Sequence, residues 1–457
     1  MRKWLLSICS ATAGAVALTM APVMPAPQAG AGSGSQIVLA PDTTADSGAP
    51  ESALTLREAF DDAQTIAADS PSMVTIRLSP GATYELDDCD AGPLRHWDST
   101  GALVLVDGRG ATIRQTCWTE SVVFLGGAAD YWFSDVTITG GTGPNGGGIA
   151  FIGSNLFLNR STISGNHTSG RGGGVYALGD VHLIRSTIFA NNANLNGGGI
   201  YSGSGVVNID RSSVVANHST GAGADNGRGG GIYGHGATTI TRSTISWNRA
   251  RVGGGLYSEG DTSGDTSVVD STLDHNLAEF SGGAIHHGDG WLSADDAELQ
   301  IVNSTVSHNA ARYGGGIASA TQFLDIDSAT FEENTAYVDG AHVRAVGGLG
   351  ATATNSVFGT AIAGAGCTSI IDSALAGSAN FDSGNTCGFD PASNIVDGGD
   401  PGLGPLTDNG GSTATHLPGL GSAVVGQPLA DAACLSKDQR GVSRPRGRHC
   451  DIGAVER

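Results

Sequence analysis

A phrase of the form S-T-[I/V/L]-x-x-N returns in seven close copies along this chain, ending at Asn166, Asn191, Asn217, Asn248, Asn276, Asn309 and Asn334. The interval between copies runs from about 25 to about 33 residues, the range in which repeats build solenoids rather than compact domains. Between successive asparagines lies a second anchor, G-G-[G/A]-[I/V/L], at Gly172 to Val175, Gly197 to Ile200, Gly229 to Ile232, Gly253 to Leu256, Gly282 to Ile285 and Gly314 to Ile317. The pattern reaches upstream to "VTITGG" near Thr137 and downstream to "SVFGT" near Val357. A flexible linker does not hold apolar residues in register over so many copies.

Within a copy, runs such as "DVHLIRSTI" and "VVNIDRSSVV" alternate with a period of two, and no stretch keeps helical spacing over ten positions. Each copy is therefore two or three short strands joined by turns. Such strands bury nothing alone, but coils stacked about 4.8 Å apart pair each strand with its copies above and below and enclose a core. The predicted fold is all-β: a parallel β-helix, right-handed because parallel crossovers are right-handed. Asparagine suits one corner, where its amide can bond to the next coil, and glycine supplies positive φ at another.

Open solenoid ends invite aggregation, so both need covers. "SALTLREAFDDAQTIAA" reads as a short amphipathic capping helix, with Ser52 as its N-cap and Leu54, Leu56, Ala59 and Phe60 on one face. "MVTIRLSPGATYEL" and "GALVLVDGRGATIRQT" would be the first coils. After about residue 361 the repeat fades into a segment rich in proline and glycine. The expected organisation is thus a signal segment (1–31), the cap and first coils (32–110), the repeats (111–360) and an irregular C-terminal segment (361–457).

The signal segment is read from the basic Arg2 and Lys3, the apolar stretch from Trp4 to about Ala21, and small residues at Ala29 and Ala31. An exported chain with six further cysteines, Cys89, Cys117, Cys367, Cys387, Cys434 and Cys450, is expected to form disulfides, between sequence neighbours. Cys89 and Cys117 stand about one coil apart, which suits a bridge between adjacent coils. No CxxC or HxxxH spacing points to zinc. A formal charge of −21 weighs against nucleic acid and anionic membrane surfaces. No further apolar span follows the signal, and a secreted or cell-surface monomer is expected.

Because side chains alternate along a strand, the residue after each inward Ile, Val or Leu points outward. That column reads Tyr176, Tyr201, Tyr233, Tyr257 and His286 on consecutive coils, with His235 and Glu259 two residues further on and Arg171, Arg228, Arg251 and Arg312 near the glycine corner. Rings edged by guanidinium groups make a platform for sugars, above all uronates, or a ladder that stacks on itself and stiffens the sheet. In a sharper reading, His235 and Glu259 form an acid/base pair with Arg228 or Arg251 binding a substrate carboxylate. A second column, before each asparagine, reads Trp247, His275, His308 and Glu333; its two histidines lack a third ligand for a metal. "VDGGDPGLG", with Asp397 and Asp400, suits calcium in composition, but turn chemistry explains it without an ion, and no cofactor is predicted.

"LTLREAF" resembles the signature of bacterial CSLREA-domain proteins, with Leu54 where that family has cysteine. "DPGLGPLTDNGGSTATHLPGLGSAV" followed by "DQRGVSRPRGRHCDIGAVE" resembles the choice-of-anchor Q domain. "GGAI" at Gly282 and "FEEN" at Phe331 are similar to repeat elements of polymorphic outer membrane proteins. The resemblance implies a pectin-lyase-like right-handed β-helix at the bacterial surface or in the medium, adhesin-like or structural, with no established enzymatic activity. Relatives that carry an anchor have a sorting tail or an autotransporter barrel after this region, and none is read here. "GHG" at Gly234 to Gly236 resembles a motif of the polygalacturonases, but the paired aspartates and the arginine-lysine element of that family are missing. Two functions are therefore weighed: a non-catalytic face for polysaccharide or a cell surface, and a lyase or hydrolase of an acidic polysaccharide.

Overall fold

The computed structural model describes residues 37–48, 52–69, 73–223, 225–259, 264–288, 297–321, 323–346, 350–369 and 375–457. The expected signal segment, 1–31, lies outside them. The rest is a parallel β-solenoid with three sheets along its length: a wide sheet of 23 described strands, a sheet of eleven that carries the tyrosine column, and a short one of seven. One coil shows the plan. Asp180–Ile184 and Thr187–Phe189 lie in the wide sheet, Asn192–Ala193 in the short sheet and Ile200–Ser202 in the tyrosine sheet. Each strand pairs in parallel with its copy one coil on, as Ile163 with Ile188 and Ile200 with Ile232.

The inward residues form continuous columns. Ile163, Ile188, Val214, Ile245, Leu273 and Val306 are fully buried on successive coils, as are Val175, Ile200, Ile232, Leu256, Ile285 and Ile317 on the tyrosine sheet. The asparagine corner is a hydrogen-bonded ladder. Asn191 Oδ1 accepts both the backbone N–H of Asn166 (3.1 Å) and its amide Nδ2 (3.0 Å), and this double bond repeats coil by coil to Asn334. A second ladder, unforeseen from the sequence, uses the first letter of the repeat. Ser186 Oγ accepts the Ser161 N–H at 3.0 Å, and Ser212, Ser243, Ser271 and Ser304 continue it. Both ladders satisfy backbone donors that the bends remove from the sheets.

The glycine corner is close-packed as well as bent. A Cβ on Gly198 would lie 2.4 Å from Gly230 O and 2.5 Å from His218 C, both backbone atoms. Only glycine lets the short sheet and the glycine turn approach this closely.

Helix α1 (Leu56–Asp69) covers the first coil, burying Leu56, Ala59, Phe60 and Ala63. Its N-cap is Thr55 rather than Ser52. Thr55 Oγ1 accepts the Glu58 N–H at 3.1 Å while Glu58 Oε2 accepts the Thr55 N–H at 2.8 Å, a reciprocal capping box that Ser52 stands too far upstream to make. The disulfides join sequence neighbours: Cys89–Cys117, Cys367–Cys387 and Cys434–Cys450, with Cα separations of 5.3, 4.6 and 6.1 Å.

Strand pairing runs on where the sequence repeat fades, because backbone hydrogen bonds need no side-chain motif. Cys367–Ser369, Ala376–Ser378 and Phe381–Asp382 all pair with the coil before them. The last sixty or so residues then lie back along the wide sheet. Gln439 bonds to Thr305 Oγ1, Ser271 O and Thr272 Oγ1, His416 Nε2 meets Ser307 Oγ at 2.8 Å, and Ala454 N–H donates to Thr330 Oγ1. This segment holds the one antiparallel strand pair among the named strands, Leu403–Thr407 with Thr415–Pro418. Among the described residues no helix is long and apolar enough to cross a membrane.

Candidate binding and acid–base face

Cross-strand register places Tyr176, Tyr201, Tyr233, Tyr257 and His286 side by side on five successive strands of the tyrosine sheet. Their rings stack in near-parallel fashion at centroid distances of 5.3, 4.7, 5.2 and 5.3 Å. The stack consumes the ring faces: Tyr201, Tyr233 and Tyr257 are only 8, 5 and 1 % exposed. Phe280 and Val252, from the neighbouring short-sheet strands, pack on them. Of the two readings of this column, open platform or self-stacking ladder, the geometry along these rings is that of the ladder: they spend their faces on one another.

The arginines divide. Arg171 lies over the Tyr201 ring at 5.1 Å and Arg228 over Tyr257 at 4.9 Å, so these two edge the column. Arg251 and Arg312 sit over Phe280 and Tyr313 instead, on the short sheet. Arg228 also pairs with Asp225 at 3.1 Å.

His235 and Glu259 are brought into direct contact, His235 Nε2 to Glu259 Oε2 at 3.1 Å. The Tyr233 hydroxyl donates to the other oxygen of the same carboxylate. Burial and the Glu259 charge push the Tyr233 phenol above its ordinary range, so it stays neutral and remains the donor. The carboxylate is thus shared between a phenol and an imidazole, with half-exposed His235 the more accessible partner.

Extending the same two columns toward the N-terminus reveals side chains that sequence reasoning missed. The outer column continues from Tyr176 through Ala150 and Phe124 to Arg95, and its companion, two residues on, from Leu178 through Ile152 and Gly126 to Trp97. Here the apolar groups are open: Trp97 is 51 % exposed, Leu178 40 % and Ile152 37 %. A Cβ on Gly126 would fall 2.3 Å from the Trp97 ring, so the indole lies flat on the glycine. Arg95 stands over Phe124 at 5.7 Å. The signal was present in "LRHWD", "VFLGG" and "IAFIG": the first two coils lack the glycine anchor used for alignment, and the third, which carries it at Gly146 to Ile149, has Ala150 where the later coils have tyrosine.

The second predicted column stacks too. Trp247 lies on His275 at 4.2 Å and His275 on His308 at 4.7 Å, nearly parallel, which keeps their nitrogens a coil apart rather than converging on a point. Among the described residues no group of three His, Cys, Asp or Glu is set to hold a metal ion. In the loop considered for calcium, Asp400 Oδ1 accepts the Gly402 N–H at 2.7 Å, an ordinary turn contact.

No family model and no curated protein matches this chain. A similar solved structure is described as the crystal structure of pectate lyase Pel9A, at 14 % identity and a TM-score of 0.40, covering 92 % of this chain and 96 % of that one. A likeness that weak says nothing of this chain's activity.

Proposed function

We propose that this chain is a secreted or surface-associated β-helix protein, adhesin-like or structural and non-catalytic, which presents an aromatic and arginine face to an acidic polysaccharide or a cell surface. One observation carries the reading: on the first coils of the tyrosine sheet Trp97, Ile152 and Leu178 stay open to solvent beside exposed Arg95, while the Tyr201 to Tyr257 rings are closed upon each other. An apolar strip bordered by guanidinium groups suits pyranose rings that carry carboxylates. Three disulfides support an oxidising, extracellular setting. The test is retention on immobilised polygalacturonate: Trp97→Ala and Arg95→Ala should each weaken it by about tenfold, the scale of one good contact. Unchanged retention in both variants would remove the proposal.

The second reading, a lyase or hydrolase of a uronate polymer, draws on the His235–Glu259 contact at the far end of the same face. A positioned imidazole can take a proton. One fact favours the first reading: the candidate acid/base pair is engaged within itself and with Tyr233. Ultraviolet absorbance from an unsaturated uronate product, lost in His235→Ala, would decide for the lyase.

A further inference from the structure

On the corner between the wide and short sheets, the residue before each ladder asparagine from Asn191 on adopts a left-handed backbone: Ala190, Ala216, Trp247, His275, His308 and Glu333 have φ between 52 and 58°. Glycine, asparagine, aspartate and histidine suit that conformation, and an indole there is unusual. Trp247 is nonetheless placed there and left 60 % exposed.

Its setting is a built one. One face of the indole rests on His275, which rests on His308. Asp274 fixes His275 through Nδ1 at 2.8 Å, and Glu333 pairs with His308 through Nε2. Among the described residues no second ring stacks on the other indole face; the two coils on that side carry only Ala216 and Ala190 at the same position. The indole therefore stands as a fixed wall at the end of a low shelf. Phe189, 46 % exposed, edges the shelf on the wide sheet. On the short sheet Asn192, His218 and Arg249 follow one another in register on the other side.

We infer that this corner is a second saccharide-binding site, separate from the tyrosine sheet, and that it takes a neutral pyranose polymer. A ring held by a stack loses little conformational freedom on binding, which is what preorganisation contributes to affinity. An open aromatic face accepts the C–H face of a sugar while an amide and an imidazole reach its hydroxyls. Burial and the Arg249 charge lower the His218 pKa, which leaves it neutral at physiological pH. Arg249 pairs with Glu279 at 3.3 Å, so the two charges there offset each other. An acidic polymer has no unopposed partner at that pair, unlike the Arg95 end of the tyrosine sheet.

The test is affinity electrophoresis of the full chain in gels containing dissolved β-glucan, mannan or polygalacturonate. Trp247→Ala and Phe189→Ser should each lose about tenfold or more of the affinity for a neutral polymer, with the uronate polymer and thermal unfolding unaffected. Trp247→Phe should keep most of it. The inference is overturned if the wild type ignores both neutral polymers, if both variants bind them as the wild type does, or if Trp97→Ala alone abolishes every interaction. Failure of the tyrosine-sheet proposal shows separately, as no retardation of the wild type by polygalacturonate.

Discussion

Asn334 closes the asparagine ladder on His342: its Nδ2 donates to His342 Nδ1 at 3.2 Å. That bond makes Nδ1 an acceptor, so Nε2 carries the proton and donates to Gly359 O at 3.0 Å. The ring is neutral and fully buried, and burial lowers its pKa to about 4. A folded-state value below the unfolded one, about 6.5, gives stability that is present above pH 6.5 and lost as pH falls toward 4. The loss from this group is about 3 kcal/mol, at 1.36 kcal/mol per pH unit. His342→Asn should be less stable at pH 7 yet lose less between pH 7 and 4. Urea midpoints across that range check it, and an unchanged acid slope would count against the assignment.

Glu332 runs the other way. Burial, with Glu333 and Asp400 nearby, raises its carboxyl to about 7, while Thr360 N–H donates to Oε2 at 3.0 Å. A raised carboxyl favours the protonated form in the fold, so its contribution is full below about pH 4.5 and lost as pH rises through 7. Glu332→Gln should therefore be more stable than the wild type at pH 8 and no more stable at pH 5. Thermal unfolding at the two values measures the difference.

Gly198→Ala places a methyl group against the backbone of Gly230 and His218, which cannot move without parting two coils. A loss of at least 3 kcal/mol is expected, on the order of a severe overpacking. Gly48→Ala is the control: nothing lies within 4 Å, although its φ of 67° carries a small cost. Denaturant titration of both separates packing from backbone strain.

Tyr257 and Trp97 should answer opposite assays. Tyr257, 1 % exposed and stacked on both sides, is expected to cost about 3 to 5 kcal/mol on truncation to alanine. Trp97→Ala should leave unfolding within about 1 kcal/mol of the wild type. If Tyr257→Ala unfolds like the wild type, the stack is not structural.

The amino-acid sequence by itself determined the solenoid, because its period, its inward Ile and Val columns and its asparagine corner each follow from local alternation repeated many times. Neighbouring coils in such a fold are joined by identical contacts, so one copy predicts the next. The Cys89–Cys117 bridge was legible for the same reason, as a one-coil spacing, whereas the other two neighbour pairs followed from an even cysteine count in a chain read as exported. Three things required the tertiary structure. Tyr201, Tyr233 and Tyr257 have an outward position in the alternation, yet exposure depends on Phe280 and Val252, which arrive from other strands. Trp97 and Ile152 belong to the same face as Tyr176, but the Trp97 coil has no glycine anchor, and the Ile152 coil, anchored at Gly146 to Ile149, has Ala150 where later coils have tyrosine, so alignment on the tyrosine column passes both by. The return of the C-terminal segment, with Gln439 on Thr305 and His416 on Ser307, joins residues more than a hundred positions apart through contacts that occur once. A repeat announces contacts that recur at its own period; a contact made a single time leaves no periodic trace, and only the folded chain shows it.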